Sequence, residues 1–251
     1  MTSTSDKRRD DERPDTPTLA APAGSAPAPT PPKTAPRDVL LRDVGALVAF
    51  LAASLAAPAH PETTDPAAPF APGLAAPIED DAPPAIPRAA GVLVPLYLRA
   101  GAPHLLFTRR ATTLPSHRGE ISFPGGARDP EDATLVETAL REAWEEIGIP
   151  RERVRVLGLL APVFTVVSNF LITPVVGWLG DDPLALTPNP DEVDEVIEAP
   201  LAALAEPAIF HAERWVRLGR SHDVYFYDLG PARIWGATGR VVHQFLDLLP
   251  Q

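Results

Sequence analysis

Three carboxylates lie close together in a segment whose pattern predicts a helix. Glu142, Glu145 and Glu146 are spaced so that a helix over residues 133–147 carries all three on one side. Carboxylates this close raise one another's pKa unless a cation lies between them. Hard divalent ions such as Mg²⁺ prefer carboxylate oxygens and complete their coordination with water and phosphate. The spacing therefore indicates either a divalent-metal site or a solvated acidic face.

The elements around these carboxylates should hold them in place. The other side of the helix is apolar and is formed by Val136, Leu140, Ala143 and Ile147. The pair Asp129-Pro130 predicts its start, because proline is tolerated at the first helical position, and Gly148 predicts its end. A double glycine, Gly125-Gly126, precedes the helix and lets the backbone approach a ligand or metal closely.

The rest of the chain after residue 88 predicts a mixture of strands and a few helices. Residues 110–126 form a loop rich in Pro, Ser and Gly, residues 201–205 a turn of helix, and residues 237–249 a closing helix. Predicted strands cover residues 91–99, 104–108, 154–160, 171–179, 193–197, 214–218 and 224–228. This mixture is typical of an α+β sandwich.

The first third of the chain differs in composition from the rest. It holds 17 of the 32 prolines and only two of the 16 aromatic residues. Residues 1–36 therefore predict a disordered Pro/Ala-rich leader, because they cannot bury enough apolar surface to offset the loss of chain entropy. Residues 37–88 predict a helix over residues 38–56 that docks on the domain, followed by a Pro/Ala linker, and residues 89–251 form the domain itself.

Composition excludes several classes of function. The chain has no cysteine, which rules out disulfides, thiolate metal sites and a cysteine nucleophile. Its net charge of −11 argues against binding a nucleic acid polymer. The polar first 20 residues predict no signal peptide, and the uncharged stretch over residues 44–59 is short for a bilayer. We therefore expect a cytoplasmic protein that does not bind membranes.

The segment GGARDPEDATLVETALREAWEEIGI resembles the Nudix box, the metal-binding loop–helix–loop of the Nudix hydrolases. The family pattern ends in Arg-Glu, an apolar residue, any residue, Glu-Glu, any residue and Gly. The residues that match in register are Arg141, Glu142, Ala143, Glu145, Glu146, Gly148 and Ile149. There are two departures: Asp132 stands where the family has its first glutamate, and eight residues rather than seven separate it from Arg141.

The preceding segment, LFTRRATTLPSHRGEISFPGG, resembles the signature of coenzyme A pyrophosphatases within this family. The matching residues are Thr108, Arg110, Ala111, Gly119, Phe123, Pro124, Gly125 and Gly126. Pro115 stands where the signature has an arginine, and the nearby Arg118 is a candidate substitute. The sequence IWGAT at residues 234–238 is also similar to this subfamily.

These resemblances imply a Nudix-type α/β/α sandwich with a mixed sheet and a metal-dependent hydrolase. Coenzyme A or an acyl-CoA would be cleaved to 3′,5′-ADP and (acyl-)4′-phosphopantetheine with Mg²⁺ or Mn²⁺ as cofactor. Glu142 and Glu146 would be the principal metal ligands, and the Gly126 carbonyl a further one. Glu145 would be an additional ligand or the catalytic base. Arg141 would orient these carboxylates through an ion pair with Asp132 or with Glu137.

Other residues are candidates for the substrate or for the base. Arg110 and Arg118 could bind phosphate groups, including the 3′-phosphate, because guanidinium groups bind oxyanions in bidentate fashion. Backbone groups at Gly125 and the side chain of Ser168 could also contact the substrate. Asn169 could line the pocket or belong to a simple turn. His117 could contact a phosphate or be a surface histidine. Glu192 and Glu195 could supply a distal base or be solvated charges.

Three other functions fit parts of the sequence. A Nudix enzyme could act on ADP-ribose, NADH or an oxidised nucleotide, because the box contacts only the diphosphate. A sensor could bind a nucleotide without hydrolysing it, although such modules usually have broken boxes. The leader has Pro-x-x-Pro spacings typical of protein interaction, which a proline-rich composition also generates. We expect a small-molecule nucleotide as partner, and a homodimer remains open.

Overall fold

The computed structural model describes residues 35–55, 86–114, 117–165, 168–181, 185–217 and 220–250. The predicted leader and the predicted Pro/Ala linker lie almost entirely outside the described residues, as does Pro115. The helices are α1 (Arg37–Leu40), α2 (Val44–Leu55), α3 (Leu135–Ile147), α4 (Leu201–Leu204) and α5 (Gly236–Asp247). The first strands are β1 (Arg88–Arg99), β2 (Ala102–Arg110), β3 (Ile121–Ser122), β4 (Gly125–Ala127), β5 (Arg155–Leu159) and β6 (Val163–Thr165). The remaining strands are β7 (Phe170–Asp181), β8 (Val193–Pro200), β9 (Phe210–Arg217), β10 (Arg220–Leu229) and β11 (Ala232–Trp235).

Strands β1 to β8 form one mixed sheet with β1 at its centre. Strand β1 is antiparallel to β2 and β4 but parallel to β7. Its side chains are buried on both faces, as expected of a strand covered from both sides: Leu93 and Tyr97 lie on one face, Val94 and Leu96 on the other. The mixed sheet confirms the predicted fold.

Helices cover both faces of this sheet. On one face, Ala139, Ala143 and Ile147 of α3 share an apolar cluster with Leu93 and Tyr97 of β1. On the other face, apolar residues of α1, α2 and α5 share a second cluster with the sheet, among them Leu40, Leu47, Leu51, Val94, Leu96, Val242 and Phe245. The molecule is therefore an α/β/α sandwich, and α3 holds its acidic residues at the edge of one face.

The helix predicted over residues 38–56 is present as two helices. Helix α1 ends at Leu40, and the side chain of Asp43 accepts a hydrogen bond of 3.0 Å from the backbone N–H of Ala46. A carboxylate in this position satisfies a free donor at a helix N-terminus, so it favours a new start at α2. The predicted docking on the domain is confirmed, because Leu47 and Leu51 are fully buried in the core.

Helix α3 begins later than the sequence pattern predicted. Its N-cap is Thr134, whose hydroxyl accepts from the Glu137 N–H while the Glu137 carboxylate accepts from the Thr134 N–H. This capping box, rather than Asp129-Pro130, marks the start. The predicted end is confirmed, because Gly148 adopts a left-handed conformation with φ of 73°.

A second, three-stranded sheet has the order β11-β10-β9 and packs against α5. The predicted strands over residues 214–218 and 224–228 are parts of β9 and β10. The pattern did not predict β3, β4, β6 and β11, which have only two to four residues each. The prediction of a loop over residues 110–126 is wrong where β3 and β4 lie, because strands this short form by pairing with β2 and β1 rather than by a pattern of their own. Within the described ranges, no helix is long and apolar enough to cross a membrane.

Candidate active site

The three glutamates of the acidic face of α3, Glu142, Glu145 and Glu146, differ strongly in burial. The Glu145 side chain is 50% exposed, the Glu142 side chain 17%, and Glu146 is 5% exposed. A solvated acidic face would leave all three carboxylates in water. The structure instead turns two of them inward, toward the loop and the strands that border the helix.

Arg141 is the centre of an extensive set of ion pairs. Its guanidinium donates at 2.9 Å to Asp132, at 3.0 Å to Glu142 and at 2.9 Å to Glu145. It also donates at 3.1 Å to the backbone carbonyl of Ala127 in β4. Together these bonds hold the acidic face against the loop that precedes α3.

Asp132, which replaces the family's first glutamate, is the buried anchor of this set. Its carboxylate accepts from Arg141, from the Thr138 hydroxyl at 2.9 Å and from the Asp129 N–H at 3.1 Å. The hydrogen bond from Arg141 lowers the pKa of Asp132 to about 2. Of the two partners predicted for Arg141, the structure has Asp132, because Glu137 is used in the capping box.

The double glycine lets β4 and α3 approach each other. Gly125 and Gly126 pair with β1, and a Cβ atom on Gly126 would lie 2.6 Å from the carboxylate of Glu142. Any larger residue at position 126 would displace that carboxylate. The close approach also brings the backbone of Gly126 next to Glu142, where its carbonyl could share a metal.

Glu146 is the most perturbed group of the site. Burial, and after it the negative charge of Glu142, raise the pKa of Glu146 to about 8. Its Oε2 atom is buried and has no hydrogen-bond partner among the described residues. Burial also raises the pKa of Glu142, while the nearby Arg141 opposes this shift. A buried carboxylate oxygen without a partner is costly unless a ligand completes it.

Two charged residues outside the helix lie near these carboxylates. The positive charge of Arg110, at the end of β2, is close enough to lower the pKa of Glu146. The negative charge of Glu192, just before β8, acts on both Glu142 and Glu146 in the opposite direction. Glu195, the other predicted distal acid, instead accepts a hydrogen bond of 2.8 Å from Arg109. The structure therefore brings Glu192, and not Glu195, to the acidic face.

The other predicted substrate residues lie in loops. Arg118 donates to the backbone carbonyl of Leu114 at 2.6 Å, and His117 bonds to Glu120 at 2.9 Å. The backbone N–H of Gly119 bonds to the carbonyl of Arg110, which joins this loop to the site. Ser168 lies in the turn between β6 and β7, and its hydroxyl is 2.7 Å from that of Thr165. The substrate contacts predicted for Arg118 and Ser168 stay predictions.

The residues present fit a divalent metal that is completed by its substrate. Among the described residues, no three acidic or histidine side chains form a ready-made metal cage. Mg²⁺ needs only one or two protein carboxylates when water and phosphate supply the rest. Glu142 and Glu146 are two such carboxylates, and the unpartnered Oε2 of Glu146 is available as a ligand atom.

Comparison with known proteins gives consistent matches. The model of the NUDIX domain matches residues 87–218, more than half of the chain. Two curated relatives, both named uncharacterized Nudix hydrolase NudL, come from Photorhabdus laumondii and Pectobacterium atrosepticum. The first is 44% identical over 157 residues, covering 62% of this chain and 82% of the relative. The second is 42% identical over 157 residues, covering 62% and 80%. A solved structure, the M. smegmatis Nudix hydrolase RenU, is 27% identical, covers 47% of this chain and 73% of its own, and has a TM-score of 0.40.

Proposed function

Because this chain belongs to the Nudix family of hydrolases, we propose that it cleaves the diphosphate linkage of coenzyme A or an acyl-CoA. The products would be 3′,5′-ADP and (acyl-)4′-phosphopantetheine. The coarser activity, hydrolysis of a nucleoside diphosphate-linked substrate, follows from the family. The observation that carries the proposal is the buried, unpartnered Oε2 atom of Glu146, whose carboxylate lies within the influence of the charges of Glu142, Glu192 and Arg110.

The proposed metal ligands are Glu142, Glu146 and the Gly126 carbonyl, with Mg²⁺ or Mn²⁺ as the ion. When bound, the metal neutralises phosphoryl oxygens and lowers the pKa of an attacking water. Glu146 must lose its proton to bind the ion, and the ion's charge would restore the anionic form that burial disfavours. Glu145, whose Oε2 atom accepts from Arg141, could join as an additional ligand or base through its other oxygen.

Arg141 and Asp132 orient the ligands. Arg141 bonds to both Glu142 and Glu145, and the buried Asp132 fixes the position of its guanidinium. Such support holds the metal-binding oxygens before substrate arrives, which reduces the reorganisation needed during the reaction. Arg141 is thus a positioning residue that does not itself need to contact the substrate.

Glu192 is a second candidate for the general base, beside Glu145. Its charge acts on both Glu142 and Glu146, and it comes from a different part of the chain, just before β8. A base there could take the proton of the water that adds across the P–O–P bridge. That addition breaks one P–O bond and forms another, so each product leaves with one phosphate group of the former diphosphate.

The segment over residues 106–126 supports coenzyme A as the substrate. Its apolar members are structural, since Phe107 and Phe123 stack at 4.6 Å in the core. Its exposed cation, Arg118, is held in the loop next to the site and could contact the 3′-phosphate. ADP-ribose and NADH have no phosphate at that position.

The proposal is tested with a panel of coenzyme A, 3′-dephospho-coenzyme A, acyl-CoAs, ADP-ribose and NADH, with products identified by mass. We expect kcat/KM for coenzyme A to exceed that for dephospho-coenzyme A by about tenfold or more, because one charge-assisted contact contributes roughly 1.5–3 kcal/mol. Arg118→Ala should remove most of that ratio. Arg214→Ala, an exposed arginine of β9, is the matched control. Equal rates on both substrates, or a preference for ADP-ribose, would defeat the coenzyme A assignment and leave the Nudix chemistry intact.

A further inference from the structure

Arg110 differs in its surroundings from the other arginines near the site. Arg110 is the last residue of β2 and lies on the same face of the sheet as Leu106, the face that α3 covers. Its neighbour Arg109 points to the opposite face and pairs with Glu195 at 2.8 Å. The two adjacent arginines of β2 therefore lie on opposite faces of the sheet.

A bulge in the partner strand determines where β2 ends. In the pairing of β2 with β8, Arg109 lies opposite Glu195 and Arg110 lies opposite Val193. Asp194 therefore has no residue opposite it in β2. The Asp194 carboxylate accepts at 3.0 Å from the backbone N–H of Thr112. Bulges commonly redirect side chains beside active sites. This one holds the end of β2, and with it Arg110, against the start of β8.

One nitrogen of the Arg110 guanidinium is left without a partner in the part of the chain that the structure describes. This nitrogen, the Nε atom, is buried and has no hydrogen-bond partner among the described residues. The charge of Arg110 nevertheless acts on Glu146. The buried Oε2 of Glu146 is likewise unpartnered. A buried guanidinium nitrogen and a buried carboxylate oxygen thus lie in the same part of the site, each without a hydrogen-bond partner among the described residues, and each is costly to leave in that state.

One kind of ligand completes both groups. A metal ion alone would satisfy Glu146 but would be repelled by Arg110. A phosphate alone would satisfy Arg110 but would be repelled by Glu142, Glu146 and Glu192. A metal-bound diphosphate presents a cation to the carboxylates and oxyanions to the guanidinium, so it satisfies both at once.

We propose that Arg110 binds an oxygen of the scissile diphosphate at the metal site, and that it does not recognise the distal 3′-phosphate. This inference rests on the proposed function, and it separates the two arginines that the sequence placed together as phosphate contacts. Arg110 then contacts the group that every diphosphate substrate shares, while Arg118 is left to discriminate among them. A fixed donor aimed at the charge that develops on phosphoryl oxygens accelerates the reaction for all substrates alike.

The direct test measures binding without turnover. Methylenediphosphonate, which has neither adenosine nor pantetheine, is titrated calorimetrically into the protein with Mg²⁺ present. We expect Arg110→Met to weaken its binding about tenfold or more, as for the loss of one charge-assisted bond. Arg109→Met, the same change on the other face of the strand, should leave the Kd within about twofold. Unchanged binding in Arg110→Met would overturn the proposal.

A second measurement separates the two roles. In Arg110→Met, kcat/KM should fall by at least about tenfold for coenzyme A and dephospho-coenzyme A together, leaving their ratio unchanged. Loss of the ratio with the dephospho substrate spared would assign Arg110 to the 3′-phosphate and refute the proposal. Arg110→Lys keeps the charge and serves if the Met variant does not fold. It should bind the analogue more weakly than wild type, and equal affinity would count against a guanidinium contact. If the enzyme prefers ADP-ribose, the coenzyme A assignment fails while the analogue titration still decides the role of Arg110.

Discussion

Two arginines border the acidic face of α3, and they differ in how completely their charge is paired. Arg141 donates to Asp132, Glu142, Glu145 and a backbone carbonyl. Arg110 has a buried Nε atom with no partner among the described residues. A saturated cation cannot take a new ligand without losing an old one, whereas an unsatisfied one gains by binding. We therefore expect the Arg141 side of the site to serve as scaffold and the side formed by Arg110 and Glu146 to contact the substrate.

Removal of divalent metal should have the largest effect, because its proposed ligands Glu142 and Glu146 belong to both sides of the site. We expect activity to be lost after exhaustive chelation and restored by added Mg²⁺ or Mn²⁺, because the proposed metal neutralises phosphoryl oxygens and lowers the pKa of the attacking water. Product formation is followed by mass at each step. Full turnover in the chelated enzyme would remove the metal from the mechanism.

Glu146→Gln should lower kcat by at least about a hundredfold, since it removes a metal ligand without changing the shape of the side chain. The fold should be retained, because Gln resembles the protonated acid that burial favours. Steady-state kinetics and a thermal melt measure the two effects. A variant with more than half of wild-type turnover would show that Glu146 is not a ligand.

Asp132→Asn tests the side of the site formed by Arg141 and its ion pairs. It leaves the Arg141 guanidinium without its buried anion, so we expect the free energy of unfolding to fall by about 3 kcal/mol. Loss of orientation at Glu142 and Glu145 should lower kcat by about tenfold. The matched control is Asp129→Asn, whose exposed carboxylate lies 3.6 Å from Arg141 and should contribute less than about 1 kcal/mol. Equal effects of the two variants in denaturant melts would contradict the anchor role of Asp132.

The two buried carboxylates should make opposite contributions to stability as pH changes. Asp132, with its pKa lowered from 3.8 to about 2, stabilises the fold above about pH 4, and that contribution is lost as pH falls toward 2. Glu146, with its pKa raised from 4.5 to about 8, destabilises the metal-free protein as pH rises from about 4.5 to 8. The Tm of the metal-free protein should therefore decline over that upper range. A decline of the same size in Glu146→Gln would assign it to other groups.

The smallest effect is expected from residues that belong to neither side. A protein that starts at residue 37 should keep kcat/KM within about threefold, because residues 1–36 carry no apolar periodicity and end before α1. A substitution in the neighbouring, packed helix should behave differently from this truncation. Leu51→Ala in α2 should lower the free energy of unfolding by about 3 kcal/mol, because Leu51 is fully buried. A folded but inactive truncated protein would show that the leader contributes to the site.

The sequence predicted those parts of the site that depend on the spacing of residues within one helix. The acidic face of α3, its apolar opposite side and its end at Gly148 follow from steps of three and four residues along one helix. The late start of α3 was misjudged because Asp129-Pro130 competes with the capping box of Thr134 and Glu137 as a start signal.

Features that depend on distant pairing could not be predicted. Strands β6 and β11 are too short to carry a pattern of their own and form only against β7 and β10. The surroundings of Arg110 depend on the bulge at Asp194 in the strand beside it, more than 80 positions along the chain. Sequence spacing proposed Arg110 as a phosphate contact, but the location of that contact depends on which strand lies beside β2.

The parallel pairing of β1 with β7 has a consequence for how the chain folds. It joins Arg88 to Phe170, about 80 positions apart, and it connects the half of the sheet that contains β2 to the half that contains β5. Closing so long a loop is entropically unfavourable before the contacts form, and such non-local pairing slows folding. We therefore expect substitutions in the buried middle of β1 or β7 to retard refolding. Glu146→Gln, whose partners assemble around a sheet already closed, should leave the refolding rate nearly unchanged.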